Sequence, residues 1–186
     1  MLRYLGGPPL RRRAALFVDR DGVLNERIED GYVLDVDSFK PLEDSIESLR
    51  VAQRSGAAVV VITNQGAVGR GLLGEGALLA IHGALIAHLG ARGVHLDGIF
   101  ACPHHPESSR SEVRRCSCRK PAPGMLLQAA EDLNLDLARS AMIGDQPSDI
   151  SAALAAGIAP GSAWSLEHTT GPALARAVQQ HFASGP

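Results

Sequence analysis

Four short apolar runs, each closed abruptly by polar residues, restrict what this chain can fold into more than any other feature. Ala14-Ala15-Leu16-Phe17-Val18 stops at Asp19, Ala57 to Ile62 stops at Thr63, Asp97 to Ala101 leads into a Cys/His-rich loop, and Ser140 to Ile143 stops at Gly144-Asp145. Runs this short and this apolar read as strands buried on both faces. Helical patterns separate them. Pro41 is expected to open a helix with Leu42, Ile46 and Leu49 on one face, Glu43 and Asp44 in its first turn, and Gly56 as its stop. A second runs from Glu75 to Leu89 with Leu78, Leu79, His82, Leu85, Ile86 and Leu89 as its inner stripe, a third from Pro123 to about Asn134, and a short fourth from Ile150 to Ala156, stopped by Gly157. His82 and His88 read as helix residues, since neither has a chelating partner at close spacing. Ser162 to Leu166 is expected as an edge strand and Ala173 to Phe182 as a terminal helix. Strands alternating with helices predict an α/β class, a doubly wound and mostly parallel sheet covered on both faces.

At 186 residues the chain fits one domain, read as 14–186 behind an N-terminal tail at 1–13. The tail, with Arg3 and the triplet Arg11-Arg12-Arg13 broken up by Gly6-Gly7-Pro8-Pro9, reads as a loose basic segment and lacks the apolar stretch of a secretion signal. A cytoplasmic location follows as the default. Lys plus Arg number 18 against 20 Asp plus Glu, a net charge of −2, which gives no general pull toward nucleic acid. No apolar run is long enough to span a bilayer, so no membrane partner is expected. No long amphipathic seam stands out, so a monomer is expected. Cys102, Cys116 and Cys118 are odd in number and clustered, which in a reducing compartment points to a metal before a disulfide; a redox cluster and unligated surface thiols are the alternatives.

In a doubly wound sheet ligands bind beyond the carboxyl ends of the strands. The residues there are Asp19-Arg20-Asp21-Gly22, Thr63-Asn64-Gln65, Arg119-Lys120-Pro121, and Gly144-Asp145 with Asp149. Taken singly each has an ordinary explanation: Asp-x-Asp as a turn or cap, Thr63 as a strand-end hydrogen bonder, Lys120 as a solvated charge. Placed together, several carboxylates repel one another unless a cation neutralises them, and a hard ion such as Mg²⁺ suits oxygen ligands while leaving room for phosphate. Phosphoryl transfer needs an in-line nucleophile, a proton donor and positive charge around the equatorial oxygens. Asp19, Asp21 and Lys120 with Mg²⁺ supply these by residue type.

The segment Asp19-Arg20-Asp21-Gly22-Val23-Leu24-Asn25, the Thr63-Asn64-Gln65 strand end, Lys120 and Gly144-Asp145 with Asp149 resemble the four motifs of the haloacid dehalogenase superfamily. Cys102-Pro103-His104-His105-Pro106 with Cys116-Ser117-Cys118-Arg119-Lys120-Pro121 narrows the resemblance to the heptose-bisphosphate phosphatase family and its histidinol-phosphate phosphatase kin. The resemblance covers roughly Ala14 to Gly157. It implies a Rossmann-like, capless fold and a Mg²⁺-dependent hydrolysis of a small phosphorylated sugar through an aspartyl-phosphate on Asp19. Asp21 would protonate the leaving oxygen and then activate water. Asp19, the Asp21 carbonyl and Asp145 would hold Mg²⁺, with Asp149 supporting that shell, and Thr63 and Lys120 would bind the transferring phosphoryl group. Arg119, Asp30-Gly31-Tyr32 and Asn64-Gln65 would contact the rest of the substrate. Cys102, His104, Cys116 and Cys118 would form a closed structural Zn²⁺ site, in a loop spanning 102–118, that aims Arg119 and Lys120; His105 is the competing ligand. The polar stretch Glu107 to Arg115 could not hold itself in place by core burial.

Three departures from the family pattern are visible. Gly66-Ala67 stands where Ser-Gly is usual, Gln146 stands where Lys is often found, and the segment between Asn25 and Gly31 is slightly longer. The expected activity is removal of the 7-phosphate from a heptose 1,7-bisphosphate in nucleotide-heptose and lipopolysaccharide precursor synthesis. Histidinol phosphate or another small phosphomonoester is the alternative substrate. A phospho-receiver signalling domain is the remote one, disfavoured by the second carboxylate two residues after Asp19 and by the Cys/His loop.

Overall fold

A computed structural model of the chain describes residues 1–6, 12–108, 116–168 and 170–183. Its elements in chain order are β1 (Leu2–Leu5), β2 (Ala15–Val18), α1 (Ile46–Arg54), β3 (Ala58–Asn64), α2 (Gly66–Gly69), α3 (Glu75–Gly90), β4 (Gly98–Cys102), α4 (Gly124–Asp132), β5 (Ala141–Gly144), α5 (Pro147–Ala155), β6 (Ala163–Ser165) and α6 (Gly171–Ala183). The six strands form one sheet in the order β1-β4-β3-β2-β5-β6, parallel throughout except for β1.

The four apolar runs become the four central strands, fully buried, and their side chains alternate between two cores as a pleated strand requires. Leu16, Val18, Val59, Val61, Ile99 and Ile143 face one way onto α1, α3 and α6. Ala15, Phe17, Val60, Ile62, Phe100 and Met142 face the other way onto α4 and α5. That division is the doubly wound architecture, and no additional domain stands between β2 and β3.

Several boundaries differ from expectation for reasons of tertiary pairing. The tail is not loose at its start: β1 runs antiparallel on the open edge of β4, with Leu2 opposite Ala101 and Leu5 opposite Gly98. Its four residues carry no apolar run, and backbone hydrogen bonding to β4 is what organises them. Arg13 pairs with Asp97 and Arg12 with Asp136, so neither is a free basic charge; Arg11 lies outside the described residues. The first helix begins at Ile46 and not at Pro41; the 41–42 stretch is tied instead to the 24–25 segment, with Pro41 bridging to Asn25 and the Leu42 N–H donating to the Leu24 carbonyl at 2.9 Å. In α3 the buried stripe includes Ile81, whereas Leu79 faces solvent. The short helix α2 had no sequence signal and fills the turn after β3. The edge strand and terminal helix form near their expected positions, as β6 and α6.

Candidate active site

Parallel registry places Val18, Val61 and Ile143 side by side, so the residues following β2, β3 and β5 emerge at one edge of the sheet. There they line a cleft of about 620 Å³ that also takes in the 27–33 loop, Arg70, Arg119 and Lys120. Asp19 stands at its floor, 7 % exposed, its Oδ1 accepting a hydrogen bond from the Arg20 backbone N–H at 2.7 Å. Lys120 reaches it through the core: Nζ is 2.8 Å from Asp19 Oδ1, 2.5 Å from Asp149 Oδ1 and 2.9 Å from the Ile62 carbonyl. Burial pushes the Asp19 carboxyl up to about 7, with Asp149 and Asp21 adding to the rise and Lys120 opposing it. Burial also works against the Lys120 ammonium, but Asp19 and Asp149 outweigh it and hold the lysine above its ordinary value.

Asp21 lies in a different network. Arg20, fully buried, donates to both of its carboxylate oxygens, Nη2 to Oδ1 at 2.9 Å and to Oδ2 at 3.0 Å. Asn25 Nδ2 and Gln65 Nε2 each add a hydrogen bond at 2.9 Å. Burial favours the neutral acid, but these donors, the Arg20 charge foremost, hold Asp21 below the usual carboxylate range. Two carboxylates two residues apart are thereby pushed in opposite directions, Asp19 toward the neutral acid by burial and Asp21 toward the anion by its donors.

Asp19, Asp145 and Asp149 each present an oxygen within 4.8 Å of the others. Gly22 makes the approach possible: it adopts φ +88°, and a Cβ there would land on the Asp145 carboxylate. Asp145 Oδ1 is buried without a hydrogen-bond partner among the described residues. An all-oxygen cluster with an unsatisfied buried carboxylate oxygen fits a hard divalent cation. The Asp21 carboxylate is outside this cluster. Asp149 caps α5, accepting from the Gln146 N–H at 3.0 Å, and is the acidic neighbour that steadies Lys120.

The remaining expected contacts divide. Thr63, 1 % exposed, accepts from Gln65 Nε2 at 2.8 Å and lines the cleft. Asn64 and Gln65, expected against substrate, line the cleft, and their side chains also make hydrogen bonds within the site. Asn64 clasps the Lys120 backbone, donating to its carbonyl and accepting from its N–H, both at 3.1 Å. Asp30, Gly31 and Tyr32 line the opposite wall, where Arg70 sits against the Tyr32 ring. Sequence reasoning left Arg20, Asn25, Arg27 and Arg70 unassigned. Arg20 and Asn25 lie inside the first motif and could have been found there; Arg27 and Arg70 carry no local signal.

Cys102, His104, Cys116 and Cys118 converge with all ligand atoms within 4.8 Å of one another. The Sγ atoms of Cys118 and Cys102 are 3.2 Å apart, and His104 Nδ1 is 3.2 Å from Cys118 Sγ. Hydrogen bonding between Cys102 and Cys118 draws the Cys118 thiol down to about 5 and pushes Cys102 up. Three sulfurs and one imidazole fit a closed tetrahedral Zn²⁺ set. Residues 109–115 of this loop lie outside the described residues. Gly69 of α2 packs directly beneath it, where any Cβ would strike the Pro103 carbonyl.

The chain as a whole is similar to known phosphatases. Residues 117–160 match a family model described as HAD-hydrolase-like. The chain is 46% identical over 145 residues to the D-glycero-beta-D-manno-heptose-1,7-bisphosphate 7-phosphatase of Yersinia pestis, covering 77% of this chain and 76% of that protein. The Escherichia coli K12 protein of the same name is 43% identical, covering 77% and 75%. A structure described as a HAD-like phosphatase from Mesorhizobium loti superposes with TM-score 0.82 at 30% identity, covering 96% and 92%. The D,D-heptose 1,7-bisphosphate phosphatase of B. bronchiseptica, complexed with magnesium and phosphate, gives TM-score 0.71 at 32% identity, covering 94% and 87%. With Asp19, Lys120 and the acidic cluster at one sheet edge and relatives this similar over three quarters of their length, the chain belongs to the heptose-1,7-bisphosphate 7-phosphatase family of HAD-like phosphatases.

Proposed function

We propose that this chain is a Mg²⁺-dependent phosphatase that removes the 7-phosphate of D-glycero-D-manno-heptose 1,7-bisphosphate, acting in the cytoplasm on the way to nucleotide-heptose and lipopolysaccharide precursors. The observation that carries it is the pairing of a buried Asp19 with Lys120 at 2.8 Å beside the Asp145–Asp149 cluster. Asp19 forms a bond to phosphorus while the bond to the leaving sugar oxygen breaks, and that oxygen takes a proton from Asp21. Asp21 rests as an anion; the approach of the phosphate dianion raises its proton affinity, so it takes up a proton from solvent as substrate binds and passes that proton to the leaving oxygen. In the second step Asp21 takes a proton from water, which attacks the aspartyl-phosphate and regenerates Asp19. Lys120 and Thr63 hold the transferring oxygens, and Arg119 meets the far end of the substrate. Asp19, Asp145 and the Asp21 carbonyl would hold Mg²⁺, which supplies Lewis-acid stabilisation of the phosphoryl charge. Zn²⁺ on the four Cys/His ligands would have a structural role.

The test is Mg²⁺-dependent phosphate release from heptose 1,7-bisphosphate beside histidinol phosphate, with Asp19→Asn as the blank. Strong preference for the bisphosphate, abolished in the variant, is expected. Preference for histidinol phosphate would keep the chemistry and overturn the substrate; release from neither would overturn both.

A further inference from the structure

Among the described residues five cationic side chains line the cleft, and they are committed to different degrees. Arg20 and Lys120 are buried, each spent on carboxylates of the catalytic floor. Arg119 Nη1 donates to the His104 carbonyl at 3.1 Å, and Arg70 lies beside the Tyr32 hydroxyl and Glu107 on the rim. Arg27 is the exception. It comes from the loop after Asn25, its side chain is 47% exposed, and its Nη1 donates to Asp145 Oδ2 at 2.7 Å. The carboxylate it holds is one of the three that cluster as a candidate cation site, and the other oxygen of that carboxylate is buried and unpartnered.

A guanidinium and a divalent cation cannot both keep their full interaction with one carboxylate, because each is a cation placed within a few ångströms of the other. Arg27 is the one able to move: its loop is at the surface, its stem is long, and its exposed pair with Asp145 has little energetic hold. The space it would enter is the cleft itself, where Arg70 and Arg119 already face the same volume.

We propose that Arg27 is an exchanging guanidinium, paired with Asp145 in the metal-free chain and released by Mg²⁺ to grip the substrate phosphate that is not transferred. It thereby becomes a specificity-determining residue supplied by the loop after Asn25. A planar fork donating two hydrogen bonds suits a phosphate better than a point charge does. Arg27, Arg70 and Arg119 then surround one dianion, while the transferring phosphoryl group faces Lys120. The metal half of the proposal stands on Asp145 alone; the substrate half rests on the bisphosphatase reading.

The experiment compares Arg27→Gln with Arg70→Gln and the parent chain. Calorimetric titration of Mg²⁺ without substrate reads the first half. Arg27→Gln is expected to bind Mg²⁺ about two- to fivefold more tightly than the parent, the range of an exposed ion pair. Arg70→Gln removes the same charge from the same cleft without touching Asp145, and is expected to shift binding less. Equal tightening in both variants would reduce the effect to general charge and overturn the exchange, as would unchanged or weaker binding in Arg27→Gln. Steady-state kinetics read the second half. KM for the bisphosphate is expected to rise about tenfold or more in Arg27→Gln, against less than threefold for an aryl phosphate carrying one phosphate. Parallel rises in both would overturn the grip. If the parent chain does not hydrolyse the bisphosphate, the substrate reading fails and the grip falls with it, while the Mg²⁺ titration still decides the exchange at Asp145.

Discussion

The backbone N–H of Arg119 donates to Sγ of Cys116 at 3.3 Å, and the Arg119 guanidinium reaches back to the His104 carbonyl at 3.1 Å. The cleft-facing arginine is therefore held at both ends by the Cys/His cluster, although its charge serves the other side of the loop. Under the proposed zinc role, loss of that ion would be felt in substrate binding before it is felt in chemistry. Cys116→Ser is expected to lose bound zinc and to raise KM about ten- to hundredfold, the scale of a misplaced positioning group, with a smaller change in kcat. Metal analysis alongside steady-state kinetics checks it; a zinc-depleted variant with the parent KM would show that the cluster does not position Arg119.

Lys120 balances two buried carboxylates, and its removal leaves both without a counter-charge. Lys120→Met is expected to destabilise the metal-free chain by about 3–5 kcal/mol. Mg²⁺ should restore part of that, since a ligand bound only to the native state stabilises it. Urea unfolding with and without Mg²⁺ measures both quantities. A loss below about 1 kcal/mol would mean that Asp19 and Asp149 simply take up protons in the variant.

The Asp19 carboxyl, raised from 3.8 to about 7 by burial, is protonated in the metal-free chain below about neutral pH. A cation requires the carboxylate, so binding must expel that proton. Mg²⁺ affinity is expected to climb between about pH 6 and about pH 8, with proton release detectable at the lower end by calorimetry in buffers of different ionisation enthalpy. The stability sign follows from the same shift. A carboxyl raised in the fold favours folding fully below its unfolded value, and that contribution is lost as pH rises through about 7 unless a metal replaces the proton. A pH-independent affinity across this window would contradict a buried, metal-facing Asp19.

His82, 6 % exposed on α3, has its imidazole pushed down to about 3 by burial and then by the nearby Arg20 charge. It stays neutral in the fold while the unfolded imidazole takes a proton below about 6.5. Its contribution to stability is thus present above 6.5 and lost as pH falls from there toward 3. By about pH 5 this amounts to about 2 kcal/mol. His82→Gln is expected to flatten the stability profile between about pH 6.5 and about pH 5 by that amount; an unchanged slope in denaturant unfolding would place the acid sensitivity elsewhere.

Much of this protein is determined by its sequence read locally. Apolar runs closed by Asp19, Thr63 and Asp145 declare themselves because a strand buried on both faces needs consecutive apolar residues, and a chain that then meets a polar cluster has reached the sheet edge. The Cys102–His104 and Cys116–Cys118 pairs are legible for a similar reason, since short ligand spacing is a local property. What the tertiary structure alone decided are the partners. Leu2–Leu5 became a strand because β4 offered an open edge, and Pro41 and Leu42 pair with the 24–25 segment in place of opening a helix. Asn64 serves the Lys120 backbone across 56 positions of sequence, and Arg27 serves Asp145 across 118. A polar side chain's composition says what it can bind, but which group it meets depends on strand order and loop path, and those are set by burial of the whole sheet.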